Sequence, residues 1–484
     1  MNDTKARWLA LWVLCLGDLM IVLDTNIVNV ALPSIQADLG FSQTALAWVV
    51  NAYMLTFGGF LLLSGRLGDL FGNKRVFLVG VVAFTSASIA CGLAPNPLFL
   101  VVGRAVQGLG GAAVSAVALA LIMGLFTDPG ERAKAMGVFG FVMSGGGAVG
   151  VLLGGMLTEW AGWEWVLFVN VPVGIAAAMI APRLLPESRT EGARHFDFAG
   201  ATSITAGLSL LVYTLVDAES AGWGSTQTIG LGAISLALIA GFYFIERRSK
   251  APLMPFPGIF RIRTITGINV SAVLIAAALF SMFFFISLYM QQVLGFSALE
   301  AGLAYLPLAV GIIITAGASA PLVTRFGFKP VLVMGLFITA AGLVWFSQVD
   351  PDGSYVGDIL FPSLLAAAGL GFAFVSMTVA AVSGVEAHEA GLASGLINTS
   401  QQIGGALGLA ILATVANSRT EDAFTSGSSQ AIALTEGFQA AFIVGAGLAI
   451  AGAVLAMILV SGRASREHAE AAQRGELDPA PAIA

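Results

Sequence analysis

Apolar residues come in long runs along this chain. From residue 9 to residue 460, mostly apolar stretches alternate with short polar or Pro- and Gly-containing connections. A helix rises 1.5 Å per residue, so about 20 apolar residues cross the ~30 Å hydrocarbon core of a bilayer. On that measure the runs predict fourteen membrane-spanning helices, at 9–33, 45–64, 76–94, 97–124, 135–158, 165–185, 198–216, 228–246, 265–291, 300–324, 330–348, 358–381, 393–416 and 434–460. The connections are mostly short, so consecutive helices are expected to pack antiparallel. The predicted fold class is an all-α polytopic membrane protein.

Composition agrees with the pattern. Of the 484 residues, 57% are hydrophobic and 10% charged, and the mean hydropathy is +0.89. A soluble domain carries about 25% charged residues, so this chain has too little polar surface to cover itself in water. Cys15 and Cys91 both lie inside apolar runs and read as small core residues, without a disulfide framework. His195, His388 and His468 lie far apart in polar segments, so no metal site is expected. The first apolar run is too long for a cleaved signal peptide and is read as the first span.

Charge gives the orientation. With the N-terminus inside, all of the 22 basic residues except Arg104, within a span, and Arg419 fall on the cytoplasmic side. The opposite connections are acidic: Glu159, Glu164, Asp217, Glu219, Asp350 and Asp352. Both ends are therefore expected in the cytoplasm. There is also a faint internal repeat. GRLGDLFGNKR (65–75) follows the second span and APLVTRFGFKP (320–330) follows the tenth. Two six-helix halves are predicted, 9–185 and 265–460, with two helices inserted between them at 198–246. Residues 1–8 are a cytoplasmic N-terminus, 247–264 a cytoplasmic linker and 461–484 a cytoplasmic tail. The tail is charged, ends DPAPAIA and is expected to be disordered.

Candidate chemistry begins where charge enters the membrane. Asp24 sits in LDTNIVNVALPSI (23–35), about nine residues or ~14 Å from the outer end of the first span. Arg104 lies about seven residues, or ~10 Å, into the fourth span from the same side. A buried acid and a buried base at matched depth can neutralise one another. The functional reading is a proton-coupled switch, in which protonation of Asp24 releases or rearranges Arg104. The structural alternative is a static ion pair. Asp18 lies about 120° around the helix from Asp24 and nearly two turns closer to the cytoplasm. It is read as a second proton site, as a carboxylate that recognises a cation, or as the lining of a watery cavity.

In GRLGDLFGNKR, Gly65 and Gly72 allow a tight reversal and close helix approach. Asp69 can pair with Arg66, Lys74 or Arg75 in one conformation and not in another, which would make the turn a conformational gate. The simpler reading is basic anchoring on the cytoplasmic side. Gly146, Gly150 and Gly154, with Gly155 beside them, form a small-residue stripe suited to close helix packing. Polar or aromatic residues within spans are candidates for a substrate cavity: Asn29, Gln107, Tyr289, Gln292, Asn398 and Gln402. Each could instead serve a helix–helix hydrogen bond.

These stretches carry a resemblance. GRLGDLFGNKR resembles the signature loop after the second helix of the major facilitator superfamily, and RAVQGLGGA (104–112) resembles its helix-4 motif. LDTNIVNVALPSI resembles the first-helix motif of the fourteen-helix drug:proton antiporters of the QacA/EmrB type. WEWVLFVNVPVG (163–174) and GLASGLINTSQQIGGALG (391–408) are similar to further blocks of that family. The resemblance spans nearly the whole chain. It implies the major facilitator fold, proton-driven export of amphipathic drugs or antibiotics, Asp24 and Arg104 as coupling residues, and Asp69 as a cytoplasmic gate. Two departures stand out: in MSGGGAVGVLLGGML (143–157) Val151 replaces the proline of the antiporter motif, and Glu164 replaces an arginine.

The competing expectation is a proton-coupled symporter that takes up a small metabolite. An intramembrane enzyme is not expected: no span holds a histidine, and no G-x-G-D acid pair or Ser–His set is present. No phosphate-binding glycine loop points to ATP. The expected partners are a small amphipathic molecule, protons and the lipid bilayer, without nucleic acid. No cofactor is expected, the proton gradient supplies the energy, and the protein is expected to act as a monomer in the cytoplasmic membrane.

Overall fold

The computed structural model describes residues 4–126, 128–187, 198–249, 259–383 and 390–474. Among these residues all regular structure is helical. In chain order the helices are α1 (Thr4–Leu39), α2 (Gln43–Phe71), α3 (Asn73–Gly92), α4 (Pro97–Leu125), α5 (Pro129–Trp160), α6 (Trp165–Phe168), α7 (Asn170–Leu184), α8 (Phe198–Ala221) and α9 (Thr226–Arg248). There follow α10 (Arg263–Leu288), α11 (Ala298–Ala304), α12 (Leu306–Phe326), α13 (Phe328–Phe346), α14 (Phe361–Val382), α15 (Ala390–Thr425), α16 (Gln430–Leu459) and α17 (Gly462–Gln473). Ten helices among the described residues are long and apolar enough to cross a membrane.

Local sequence explains most of the boundaries. Asn96 caps α4 by accepting from the Phe99 N–H, with Pro97 in the first turn where no donor is needed. Asp128 and Pro129 open α5 in the same way. Ser297 and Glu300 form a reciprocal capping box at α11. Gly72, at φ +100°, turns α2 into α3 at the basic end of the bundle, and Gly327, at φ +84°, turns α12 into α13. The sixth apolar run is broken: α6 stops at Phe168, the residue whose carbonyl Pro172 crowds and cannot reach with a donor.

Helices α1–α7 pack with one another, and α10–α16 do the same. Within the first group α1 lies against α5 along two facing rows. A Cβ on Gly146 would stand 2.8 Å from Leu19 Cδ1, on Gly150 3.2 Å from the Leu23 carbonyl, and on Gly154 2.8 Å from the Ile27 carbonyl. Both rows advance by four residues, so the missing side chains bring the two backbones together. Within the second group Gly404 and Gly408 of α15 press against Val273 and Ala277 of α10.

The groups meet chiefly along two seams, with further contacts from α1 to the end of α10. One is α2 against α15, where Gly405 faces Met54 and Gly58 faces Gln402. The other is α5 against α11, where Gly155 lies under Ala298 and Leu299 and Gly302 lies under the Val151 carbonyl. Helix α8 lies over the first seam, touching both α2 and α15, and α9 packs on α8. Thr205 of α8 donates to the Gly59 carbonyl at 2.9 Å, and the Trp48 and Tyr213 rings stand 6.2 Å apart.

The tail corrects an expectation. Residues 462–473 form α17, with Ser465 and Ala469 buried. Ser461 caps it, Ser465 Oγ accepts from the Lys329 N–H at 3.0 Å, and Gln473 donates to the Thr324 carbonyl at 3.1 Å. Charge alone suggests a solvated tail, but small residues four apart, Ser465 and Ala469, give this helix one face that docks on the α12–α13 turn. DPAPAIA lies outside the described residues.

Candidate functional site

At the core of the first group a carboxylate and a guanidinium meet out of reach of solvent. Asp24 of α1 is 0% exposed and Arg104 of α4 is 1% exposed. Arg104 Nη1 donates to Asp24 Oδ2 and, at 2.6 Å, to Gln107 Oε1. The other carboxylate oxygen, Oδ1, accepts from Gln107 Nε2 at 2.7 Å and from Asn170 Nδ2 at 3.1 Å. Arg104 Nε donates to the Val49 carbonyl of α2 at 3.0 Å, and its guanidinium carbon lies 4.4 Å from the centre of the Tyr53 ring.

A second layer holds the amides. Ser88 of α3 accepts from Gln107 Nε2 at 3.0 Å and from Asn170 Nδ2 at 3.2 Å, and donates to the Leu167 carbonyl of α6 at 2.9 Å. Five helices thus fix the pair and its partners: α1 carries Asp24, α2 Tyr53, α3 Ser88, α4 Arg104 and Gln107, and α7 Asn170. Charge is balanced within the site, and each member of the ion pair is also held by neutral groups. That is the arrangement a reversible proton site needs. Neutralising the acid leaves the base with the Val49 carbonyl, the Gln107 oxygen and the Tyr53 ring, so the cation is not stranded.

The structure therefore brings together Asp24, Arg104 and Gln107. Ser88, Asn170 and Tyr53 complete the site and are not among the expected residues. Asn170 carries a signal in the sequence, since it is a polar residue within an apolar run just before Pro172. Ser88 carries none, because small hydroxyls are common within spans. Asp18 lies apart, fully buried, accepting from Ser115 Oγ at 2.7 Å.

The other expected residues sit elsewhere. Gly65 packs loosely near Ala116, and Gly72 makes the turn already described. Gly68, between them, is the tightest: a Cβ there would run into the Asn73 side-chain oxygen and lie 2.7 Å from Val117 Cγ1 of α4. Arg66 is half-buried, Lys74 donates to the Pro182 carbonyl at 2.7 Å, and Arg75 pairs with Glu187 at 3.3 Å. The Asp69 side chain lies outside the described residues. Asn29 offers its backbone carbonyl to Ser287 Oγ at 2.8 Å, and Gln292 donates to Gln36 Oε1 at 2.8 Å. Beside them Gln291 donates to the Val30 carbonyl at 2.9 Å, so these residues join α1 to the end of α10 at the acidic end of the bundle. Tyr289 is buried and donates to the Asp350 carbonyl at 2.6 Å, tying its helix to the connection before α14. Asn398 is exposed and Gln402 half-buried at the α2–α15 seam.

Comparison with known proteins places these features. The chain matches the Major Facilitator Superfamily over residues 14–409. It is 40% identical over 465 residues to a puromycin resistance protein of Streptomyces alboniger, covering 94% of this chain and 92% of the relative. It is 40% identical to the cephamycin export protein CmcT of Amycolatopsis lactamdurans, covering 87% of each. A tetracenomycin C resistance and export protein of Streptomyces glaucescens is 37% identical, with 86% of this chain and 77% of the relative covered. Among solved structures, an auto-inhibited peptide transporter of the POT family superposes with a TM-score of 0.68 at 15% identity, over 93% of this chain and 96% of the other. A bacterial homologue of the lysosomal transporter Spinster, solved inward-facing, gives 0.61 at 17% identity over 99% and 100%. At such identities the structures speak for the fold alone. The chain is a multi-pass protein of the cell membrane, a transporter, and it belongs to the Major Facilitator Superfamily.

Proposed function

We propose that this protein is a fourteen-helix antiporter of the QacA/EmrB type that exports amphipathic drugs or antibiotics in exchange for protons. Its two six-helix halves rock about a central site, with both termini in the cytoplasm. The observation that carries this reading is the buried Asp24–Arg104 pair, held by neutral amides from α4 and α7, in a chain whose relatives of similar length are named for antibiotic resistance and export. Protonation of Asp24 from outside removes its attraction for Arg104. Substrate movement is then tied to that change, and loss of the proton to the cytoplasm resets the pair. No cofactor takes part.

The contacts between α1 and α10 and between α5 and α11 close the acidic, outer end. They must separate for substrate to leave, so this form of the protein has its outer side shut. The signature turn, Gly65 to Arg75 with Asp69, gates the opposite side.

The test is dye transport in liposomes. Protein reconstituted inside-out, with an imposed proton gradient, is expected to drive uptake of a cationic dye such as ethidium. Asp24→Asn is expected to abolish gradient-driven uptake while the protein stays folded. Wild-type rates in the mutant would end Asp24's role as the coupling site. Transport with the opposite gradient dependence would favour a metabolite symporter instead.

A further inference from the structure

Asp18 is a second buried carboxylate with an environment unlike that of Asp24. It is 0% exposed. Oδ1 accepts from Ser115 Oγ at 2.7 Å, whereas Oδ2 is buried and has no hydrogen-bond partner. No cation pairs with it among the described residues. Around it, Phe77 of α3 and Val114 of α4 pack against Gly17, and the Cys15 thiol lies one turn away on α1. The charged groups that share its core are Asp24 and Arg104, and the titratable group on α2 is Tyr53.

The geometry of α4 connects the two carboxylates. Gln107, Gly111 and Ser115 are spaced by four residues and lie on one face of that helix. Gln107 donates to Asp24, and Ser115 donates to Asp18. Between them, a Cβ on Gly111 would stand 3.2 Å from the buried Tyr53 hydroxyl, whose side-chain neighbour across the helix is Thr25 of α1. One stripe of α4 therefore faces Asp24, the Tyr53 hydroxyl and Asp18 in turn, over about 12 Å of helix rise. Buried polar atoms are almost always paired, so the unpaired Oδ2 of Asp18 at the end of this polar column calls for a reason, and a carboxylate oxygen without a donor is where a proton can sit.

We propose that Asp18 is a proton-binding site in its own right, separate from the Asp24–Arg104 pair, which takes up one proton on Oδ2 and gives that proton up again as it returns to the carboxylate. This rests on the reading of the protein as proton-driven, and the test separates the two.

The experiment is infrared difference spectroscopy of the purified protein between acidic and alkaline buffer, which detects the carbonyl stretch of neutral carboxylic acids. Wild type is compared with Asp18→Asn, Asp24→Asn and Ser115→Ala. The expected result is that Asp18→Asn loses one component and Asp24→Asn a different one. In Ser115→Ala the Asp18 component shifts to higher frequency, because that carboxyl loses its hydrogen bond from Ser115. Since Ser115→Ala removes one hydroxyl, it keeps the test open should Asp18→Asn fail to fold. A wild-type spectrum in Asp18→Asn, or an unshifted one in Ser115→Ala, overturns the proposal and leaves the role of Asp24 intact. Loss in Asp18→Asn with no change in Asp24→Asn supports the second site and removes the first.

Discussion

The guanidinium of Arg104 stands over the Tyr53 ring, its carbon 4.4 Å from the ring centre. The contact is independent of Asp24, as is the bond from Arg104 Nε to the Val49 carbonyl at 3.0 Å. Stranding a buried charge by deleting its partner costs about 3–5 kcal/mol when nothing else holds it. Here a planar cation has a ring and two oxygens to fall back on. Lysine has neither the flat face nor the forked donors. Arg104→Lys is therefore expected to lower the melting temperature more than Asp24→Asn does, measured by thermal unfolding of the purified proteins. Equal stability would show that the ring and carbonyl contacts carry no weight.

At the α5–α11 seam a side chain has nowhere to go. A Cβ on Gly155 would lie 2.6 Å from the Ala298 carbonyl and 2.9 Å from Leu299 Cα, both backbone atoms. On the proposed alternating-access reading, Gly155→Leu should penalise the form in which this seam is closed by about 1–3 kcal/mol, the range for overpacking. That is about a 5- to 150-fold shift of the conformational equilibrium. Labelling of a cysteine introduced at Asn29 by an impermeant reagent from outside should rise accordingly. Unchanged labelling would mean that the seam does not move.

A smaller effect is expected at the hydrogen bond from Gln292 to Gln36, at 2.8 Å, which crosses the same closure. Interhelical hydrogen bonds in membranes average ~0.6 kcal/mol. Gln292→Ala should therefore move the same labelling equilibrium only about threefold. A shift as large as that of Gly155→Leu would show that the bond, rather than helix packing, holds the outer side shut.

Helix α17 makes the basic end of the bundle sensitive to acid. His468, half-buried with its ring 5.8 Å from that of Phe328, has its proton affinity lowered by desolvation. The docked form then binds fewer protons than the undocked form. Docking is at full strength above the ordinary histidine pKa of about 6.5 and weakens as pH falls below it toward the lowered value. Hydrogen exchange of the α17 amides, corrected for intrinsic rates, should show more opening at about pH 5.5 than at about pH 7.5. His468→Gln should remove that difference, and a difference that persists would assign it to another group.

Much of the site is legible in the amino-acid sequence. The matched depth of Asp24 and Arg104 follows from counting residues along two runs, because a charge in a bilayer has few positions where another can meet it. The row of Gly146, Gly150 and Gly154 announces close packing, since only spacing on one helix is needed. What stays hidden requires two or more helices to be placed at once. Ser88 and Asn170 become meaningful only when α3 and α7 are set beside α1. Gln107 reads as a cavity candidate from its sequence position alone, and its role as a clamp on Asp24 depends on which way α4 is rotated. Tyr289 and Gln292 are adjacent to a boundary between span and connection, so a shift of one turn moves them from a cavity to a closure.

Helix α8 rides on the α2–α15 seam and is fastened to α2 through Thr205 and Gly59. On that flank the bilayer touches α8 and α9 rather than the α2–α15 junction. A molecule dissolved in the lipid meets a shielded wall there, whereas the α5–α11 junction has no such cover among the described residues. The two junctions are thus unequal to anything arriving sideways, and α8 with α9 gives the transporter a front and a back within the plane of the membrane.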